Sequence, residues 1–215
     1  MATGAEQLGA AVRRALRVTG APKVNIIAHS KGGLEARLFI AQGGAQLVAS
    51  LVTVCTPHRG SDAASALLES RLVSSRAGRW TVEAFARLAM GDRATDLMAS
   101  LADLRPEACA RFNAAVPDSS LVYYRSYASV IHGGRPRPLI GFVYRCLCER
   151  EGPNDGLVSV VSAIWGDYHG IIGEAEGLSI NHDEVHGICP PWRRPAFDAP
   201  AFYVGIVRDL EAMGL

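Results

Sequence analysis

The apolar positions of the first third of the chain change period several times. Leu8, Val12, Ala15 and Leu16 recur at helical spacing within residues 5–18, with Arg13, Arg14 and Arg17 off that face, which predicts an amphipathic helix. Gly20-Ala21-Pro22 ends it. Val24 to Ala28 is a short continuous run rich in β-branched side chains, the pattern of a strand covered on both faces. A tight turn from Ser30 to Gly33 leads into a helical pattern from Leu34 to Ala41. Val48 to Cys55 is a second buried-type strand, stopped by Thr56-Pro57. Strand, helix, strand at this pitch is a βαβ unit, which implies a parallel sheet.

Residues 62–115 carry few β-formers and read as helical throughout, an insertion over one edge of the sheet. Leu121 to Tyr127 returns to strand, and Leu157 to Ile164 reads as another after the turn Gly152-Pro153-Asn154-Asp155-Gly156. Residues 187–200 are Pro-rich and irregular. Phe202 to Met213 closes the chain as a helix, with Val204, Val207, Leu210 and Glu211 on its expected inner face.

Composition narrows the class. At 215 residues, 49% hydrophobic, the chain suits a single domain, residues 1–215, with a substantial core. A formal net charge of +1 provides no basic face, so no nucleic-acid partner is expected. No apolar run is long enough for a transmembrane segment. Met1 to Arg17 lacks the pattern of a secretory signal, since its arginines interrupt the apolar stretch. That points to the cytoplasm, or to secretion if the natural N-terminus lies further upstream. Five cysteines (Cys55, Cys109, Cys146, Cys148, Cys189) show no redox or zinc spacing and read as free thiols.

The candidate chemistry begins at Ala28-His29-Ser30-Lys31-Gly32. A serine between an apolar strand and a helix, with small residues two before and two after it, fits a sharp turn that exposes a nucleophile. Helix N-terminal amides there face developing negative charge, and the Lys31 backbone amide is the expected oxyanion donor. His29 precedes Ser30, so its side chain is expected to point away from the nucleophile.

Several segments resemble, in order, the bacterial triacylglycerol lipase family of α/β-hydrolases. Lys23 to Arg37 is similar to that family's nucleophile strand, elbow and helix. Val52-Thr53-Val54-Cys55-Thr56-Pro57-His58-Arg59-Gly60-Ser61 is similar to the strand and loop that follow. Arg111-Phe112-Asn113, Tyr123-Tyr124-Arg125-Ser126-Tyr127 and Asn154-Asp155-Gly156-Leu157-Val158 continue the likeness. The resemblance implies an α/β fold and a carboxylester hydrolase of lipase or esterase type. It would cleave acyl esters or lipids through a Ser-His-Asp triad and an acyl-enzyme, with possible contact at a lipid interface.

In this fold the order is nucleophile, acid, histidine. His29, His58 and His132 precede any plausible acid, which leaves His169, His182 and His186. The resemblance gives Asp155 as the acid and His182, in Ser179-Ile180-Asn181-His182-Asp183, as the base, with His186 its alternative. Asp155 also suits an Asx-turn.

The stripe Leu67, Leu68, Leu72, Val73, then Val82, Phe85, Leu88 and Ala89 fits either a lid closing over acyl chains or a cap helix on the core. Some members bind a structural calcium, but residues 126–152 contain no aspartate, so Asp183 and Glu184 read as solvated carboxylates. Neither a metal nor a cofactor is expected. The strands and the loop that carry the second oxyanion donor have no counterpart before Val24, so the domain reads as N-terminally truncated. The alternative expectation is a weak or inactive remnant that binds a lipid or a protein partner.

Overall fold

A computed structural model of the chain describes residues 1–69, 97–132, 138–188 and 197–215. Helix α1 (Ala2–Thr19) turns Ala5, Gly9 and Val12 inward, one face at helical spacing, and Gly20 closes it in the left-handed region at φ 69°. Strand β1 (Val24–His29) and helix α2 (Lys31–Ala41) follow, then β2 (Val48–Val54). After α3 (Asp62–Glu69), α4 (Leu97–Asp103) and α5 (Pro106–Ala115) comes β3 (Tyr123–Ala128). Helix α6 (Pro138–Arg150), the single turn α7 (Val160–Ala163), β4 (Asp167–Ile171) and α8 (Ala199–Ala212) complete the order.

The strands form a parallel sheet in the order β1-β2-β3-β4. The period of two along β2 sends neighbouring residues to opposite layers. Leu51 joins Ile26, Ala36, Phe39, Ile40, Ala5 and Val12 in the core beneath α1 and α2. Val52 faces the other way, against Ile206 and Leu210 of α8. The sheet is therefore a middle layer with helices on both faces, the arrangement parallel strands require. β1 lies at its edge and buries only Ile26 fully, so the expectation of a strand covered on both faces holds better for β2.

Two expectations need correction. Leu157 to Ile164 is not a strand: it holds one isolated bridge between Asn154 and Ser159 and then the turn α7, capped by Ser159 Oγ on the Ser162 N–H. A short apolar run does not distinguish strand from helix by periodicity. The strand that does pair with β3 is Asp167–Ile171, a polar edge segment with little apolar alternation to reveal it. The closing helix also buries a different face. Ile206 and Leu210 point inward, while Val204 and Val207 are 49% and 54% exposed. Of residues 62–115, the described parts are helical; the stripe positions Leu72 to Ala89 lie outside the described residues.

Candidate active site

Ser30 sits between β1 and α2 at φ 53°, ψ −135°, a conformation L-residues rarely adopt. The surroundings fix it there. Its N–H donates to the Val54 carbonyl at 3.0 Å, and its own carbonyl accepts from Gly33 N–H at 3.0 Å and Thr56 Oγ1 at 2.8 Å. The α2 N-terminus thus opens at Ser30, with Lys31 as the first helical residue.

Gly33 is the tight position, as expected of a glycine that eases close helix–strand packing, whereas Gly32, expected to be small for the turn, has room to spare. A Cβ on Gly32 would meet no described atom within 4 Å, whereas one on Gly33 would lie 2.3 Å from Thr56 Oγ1 and 3.0 Å from Thr53 Cγ2. Gly33→Ala should therefore push Thr56 off the Ser30 carbonyl and destabilise by about 2 kcal/mol. Gly32→Ala should stay within about 0.5 kcal/mol of the parent or above it, since alanine favours a helix. Urea midpoints of the two variants check this pair.

Asp155, 2% exposed, divides its two carboxylate oxygens. Oδ1 accepts from the N–H groups of Leu157 at 3.0 Å and Val158 at 2.8 Å, the Asx-turn geometry. Oδ2 accepts from His182 Nδ1–H at 2.7 Å. Asn154 braces the turn, taking the Gly156 N–H on its own side-chain oxygen at 2.9 Å. The His182 backbone N–H donates to the Asp155 carbonyl at 3.1 Å, so two contacts join these residues. His182 Nε2 in turn accepts from Ser30 Oγ–H at 2.9 Å. Ser30, His182 and Asp155 thus form one continuous hydrogen-bonded chain.

The other histidines lie elsewhere or play other parts. His29 does not point away from the site: its ring centroid is 4.4 Å from that of His182 and 4.1 Å from that of His186. A chain reversal as sharp as that at Ser30 defeats a simple alternation argument. His186 packs on His29 and is exposed. His169 pairs with Asp167 at 3.1 Å. His58 is buried, accepting or donating at Thr53 Oγ1 (3.0 Å) and stacked on Trp165. Among the described residues no group of three or more His, Cys, Asp or Glu could hold a metal ion, and no helix is long and apolar enough to cross a membrane.

Burial alone would lower the His182 pKa; the Asp155 charge and hydrogen bond, with Asp183, outweigh it and hold the imidazole above its ordinary value. His29 is pushed down to about 2, first by burial and then by His182 and His186. Burial, then Arg37 and Arg59, push His58 well below its usual range. Both are neutral in the fold and take up protons on unfolding, so stability falls as pH drops below their unfolded value near 6.5. Each should cost about 1–2 kcal/mol by pH 5. His182 acts oppositely: its contribution is full in acid and fades as pH rises through its raised value. We expect a lower urea midpoint at pH 5.0 than at pH 7.5, and a shallower dependence in His29→Phe.

Set against known proteins, the chain is 34% identical over 212 residues to a triacylglycerol lipase of Vibrio cholerae, covering 85% of this chain and 64% of that protein. It is 56% identical over 57 residues to a triacylglycerol lipase of Pseudarthrobacter phenanthrenivorans, covering 26% of this chain and 18% of the relative. The chain thus spans less than two thirds of the length of these relatives. No family model matches it. Among solved structures, a metagenomic carboxyl esterase superposes with a TM-score of 0.68 at 18% identity, over 97% of this chain and 62% of that one. A Bacillus licheniformis lipase in mature form gives 0.59 at 19% identity, over 83% of this chain and 66% of that one. The structural likenesses carry the fold, and the sequence matches carry the kinship.

Proposed function

We propose, for a chain that belongs to the lipase family of the α/β-hydrolase fold, that it hydrolyses carboxylic esters, from acylglycerols to smaller acyl esters, through an acyl-enzyme on Ser30. The observation that carries this reading is the hydrogen-bonded chain from Ser30 Oγ through His182 to Asp155.

A serine hydroxyl attacks an ester only if its proton has somewhere to go. His182 Nε2 takes that proton as Ser30 Oγ bonds to the acyl carbon, and returns it to the alcohol as the ester C–O bond breaks. Water then adds to the acyl-enzyme by the same route, giving its proton to His182 and releasing the acid. Asp155 keeps the Nδ1–H tautomer, so that Nε2 is free to accept, and stabilises the imidazolium. The Lys31 N–H, first in α2, donates to the oxyanion at the positive end of the helix. In this reading the described helices Asp62–Glu69, Leu97–Asp103 and Pro106–Ala115 belong to a cap. A remnant that only binds lipid or protein would have no use for a strained serine donating to a buried imidazole–carboxylate pair.

A fluorophosphonate probe with p-nitrophenyl esters of graded chain length tests the reading. Labelling and turnover lost in both Ser30→Ala and His182→Ala support it; a folded parent protein that neither labels nor turns over ester refutes it.

A further inference from the structure

Both backbone groups of Ser30 are held by the exit of β2. Its N–H donates to the Val54 carbonyl at 3.0 Å, and its carbonyl accepts from Thr56 Oγ1–H at 2.8 Å. Between these two partners lies Cys55, at φ 51°, which with Ser30 makes up the non-glycine residues of left-handed φ among the described residues. The two strained residues each follow a strand end, and His29, last of β1, is in register with Val54, last of β2. The reversal at Cys55 thus lets one strand's end grip the neighbouring turn twice. Thr56 is fully buried, and its own carbonyl accepts the His58 N–H at 2.9 Å. Its hydroxyl reaches Ser30 because Gly33 carries no side chain: a Cβ there would lie 2.3 Å from Thr56 Oγ1. Gly33 N–H, at 3.0 Å, fills the second acceptor place on the Ser30 carbonyl. Two donors from different directions leave that carbonyl little room to turn.

We propose that Thr56 is a positioning residue that aims the Lys31 N–H at the oxyanion. This rests on the reading of Ser30 as the nucleophile and of the Lys31 amide as an oxyanion donor. The Ser30 carbonyl and the Lys31 N–H belong to one planar trans peptide, so they point in opposite directions and turn together. Pinning the oxygen therefore sets the hydrogen. As the first N–H of α2, that of Lys31 has no acceptor within the helix. Gly33 N–H ties the Ser30 carbonyl only to its own helix, which could still rock against the sheet. Thr56 ties it to the end of β2, the strand beside the nucleophile's own. A donor at an oxyanion is worth most when its direction is set before the charge develops. Thr56 touches no reacting atom and acts through the peptide alone.

The test uses the full chain with Thr56→Val, which replaces the hydroxyl by a methyl, and Thr56→Ser, which keeps it. Thr56→Val should lower kcat for p-nitrophenyl butyrate about tenfold, part of the roughly 10²–10³ lost when an oxyanion donor is removed. KM should stay within about twofold, because the ground-state carbonyl draws less on the donor than the oxyanion does. A trifluoromethyl ketone bonds through its carbonyl carbon to Ser30 Oγ while the proton goes to His182, leaving a negative oxygen. Its inhibition should weaken by about the same factor as kcat. Thr56→Ser should recover both to within about threefold of the parent. The residual dipolar coupling of the Lys31 N–H, which reports its direction, should change in Thr56→Val and return in Thr56→Ser. A purely structural role would lower stability and leave kcat per folded molecule, the inhibition and the coupling where they were. Should Thr56→Val not fold, Gly33→Ala displaces the same hydroxyl and should show the same losses. In an active parent, an unchanged kcat or coupling in Thr56→Val (or in Gly33→Ala in its place), or a serine variant no better than the valine one, would each overturn the proposal. If the parent turns over no ester, the hydrolase reading fails and the coupling decides alone: a change restored by serine supports the aiming, and no change overturns it.

Discussion

Ser30→Ala should lower kcat/KM for ester hydrolysis by about 10⁵-fold or more, because a triad that has lost its nucleophile keeps only binding and oxyanion contributions. Fluorophosphonate labelling should vanish with it. KM and the far-UV spectrum should hardly move, since Ser30 is fixed through its backbone bonds to Val54, Gly33 and Thr56 and not through its hydroxyl. A second variant separates chemistry from strain. Ser30→Gly loses the same activity but relieves the left-handed φ of 53°, and should gain about 1 kcal/mol over Ser30→Ala in urea unfolding. Stability that rises as activity disappears is the signature of a strained functional turn. Equal stability of the two variants would mean that the turn stores nothing.

Asp155→Asn should cost about 10⁴-fold in kcat, on the scale of losing the oriented tautomer in a triad. The carboxylate is 2% exposed, and its Oδ1 is already held by the Leu157 and Val158 amides. An asparagine kept in this turn by its side-chain oxygen therefore turns its NH₂ toward His182 Nδ1. The imidazole then places its proton on Nε2, the atom that must accept from Ser30. The pH profile should change with it. In the parent, His182 is held above its ordinary value by Asp155, so the acid limb of kcat/KM lies above pH 6.5. With the charge gone, burial dominates and the limb moves to lower pH. A residual rate with an unmoved acid limb would show that Asp155 does not govern His182.

Much of this was legible from pattern. The run Val24 to Ala28, the turn at Ser30 and the helix after it combine locally cooperating signals: β-branched residues, two glycines and a helical period. The partners of Ser30 were legible only through resemblance, because Asp155 and His182 lie in loops whose spacing is set by turns and not by periodicity. What pattern missed shares one physical cause. The ring of His29, the left-handed backbone at Cys55 and the strand Asp167–Ile171 all depend on backbone direction or tertiary pairing. A non-glycine residue with positive φ carries no mark in the sequence, and a polar edge strand becomes a strand only because β3 offers it partners. The outer face of α8 misled for the opposite reason: Val204 and Val207 are apolar yet point to solvent, where single apolar residues are ordinary.

The hydrogen bond from Ser30 to His182 joins residues 152 positions apart. Closing so long a loop returns little until the sheet between its ends exists, so this contact belongs to the late part of folding. The helices and the β1–β2 pair can form from local segments, and they would restore most of the circular dichroism without restoring any chemistry. On the proposed hydrolysis at Ser30, recovery of ester turnover should lag recovery of the circular dichroism, and a chain stalled short of this contact should look structured while remaining silent.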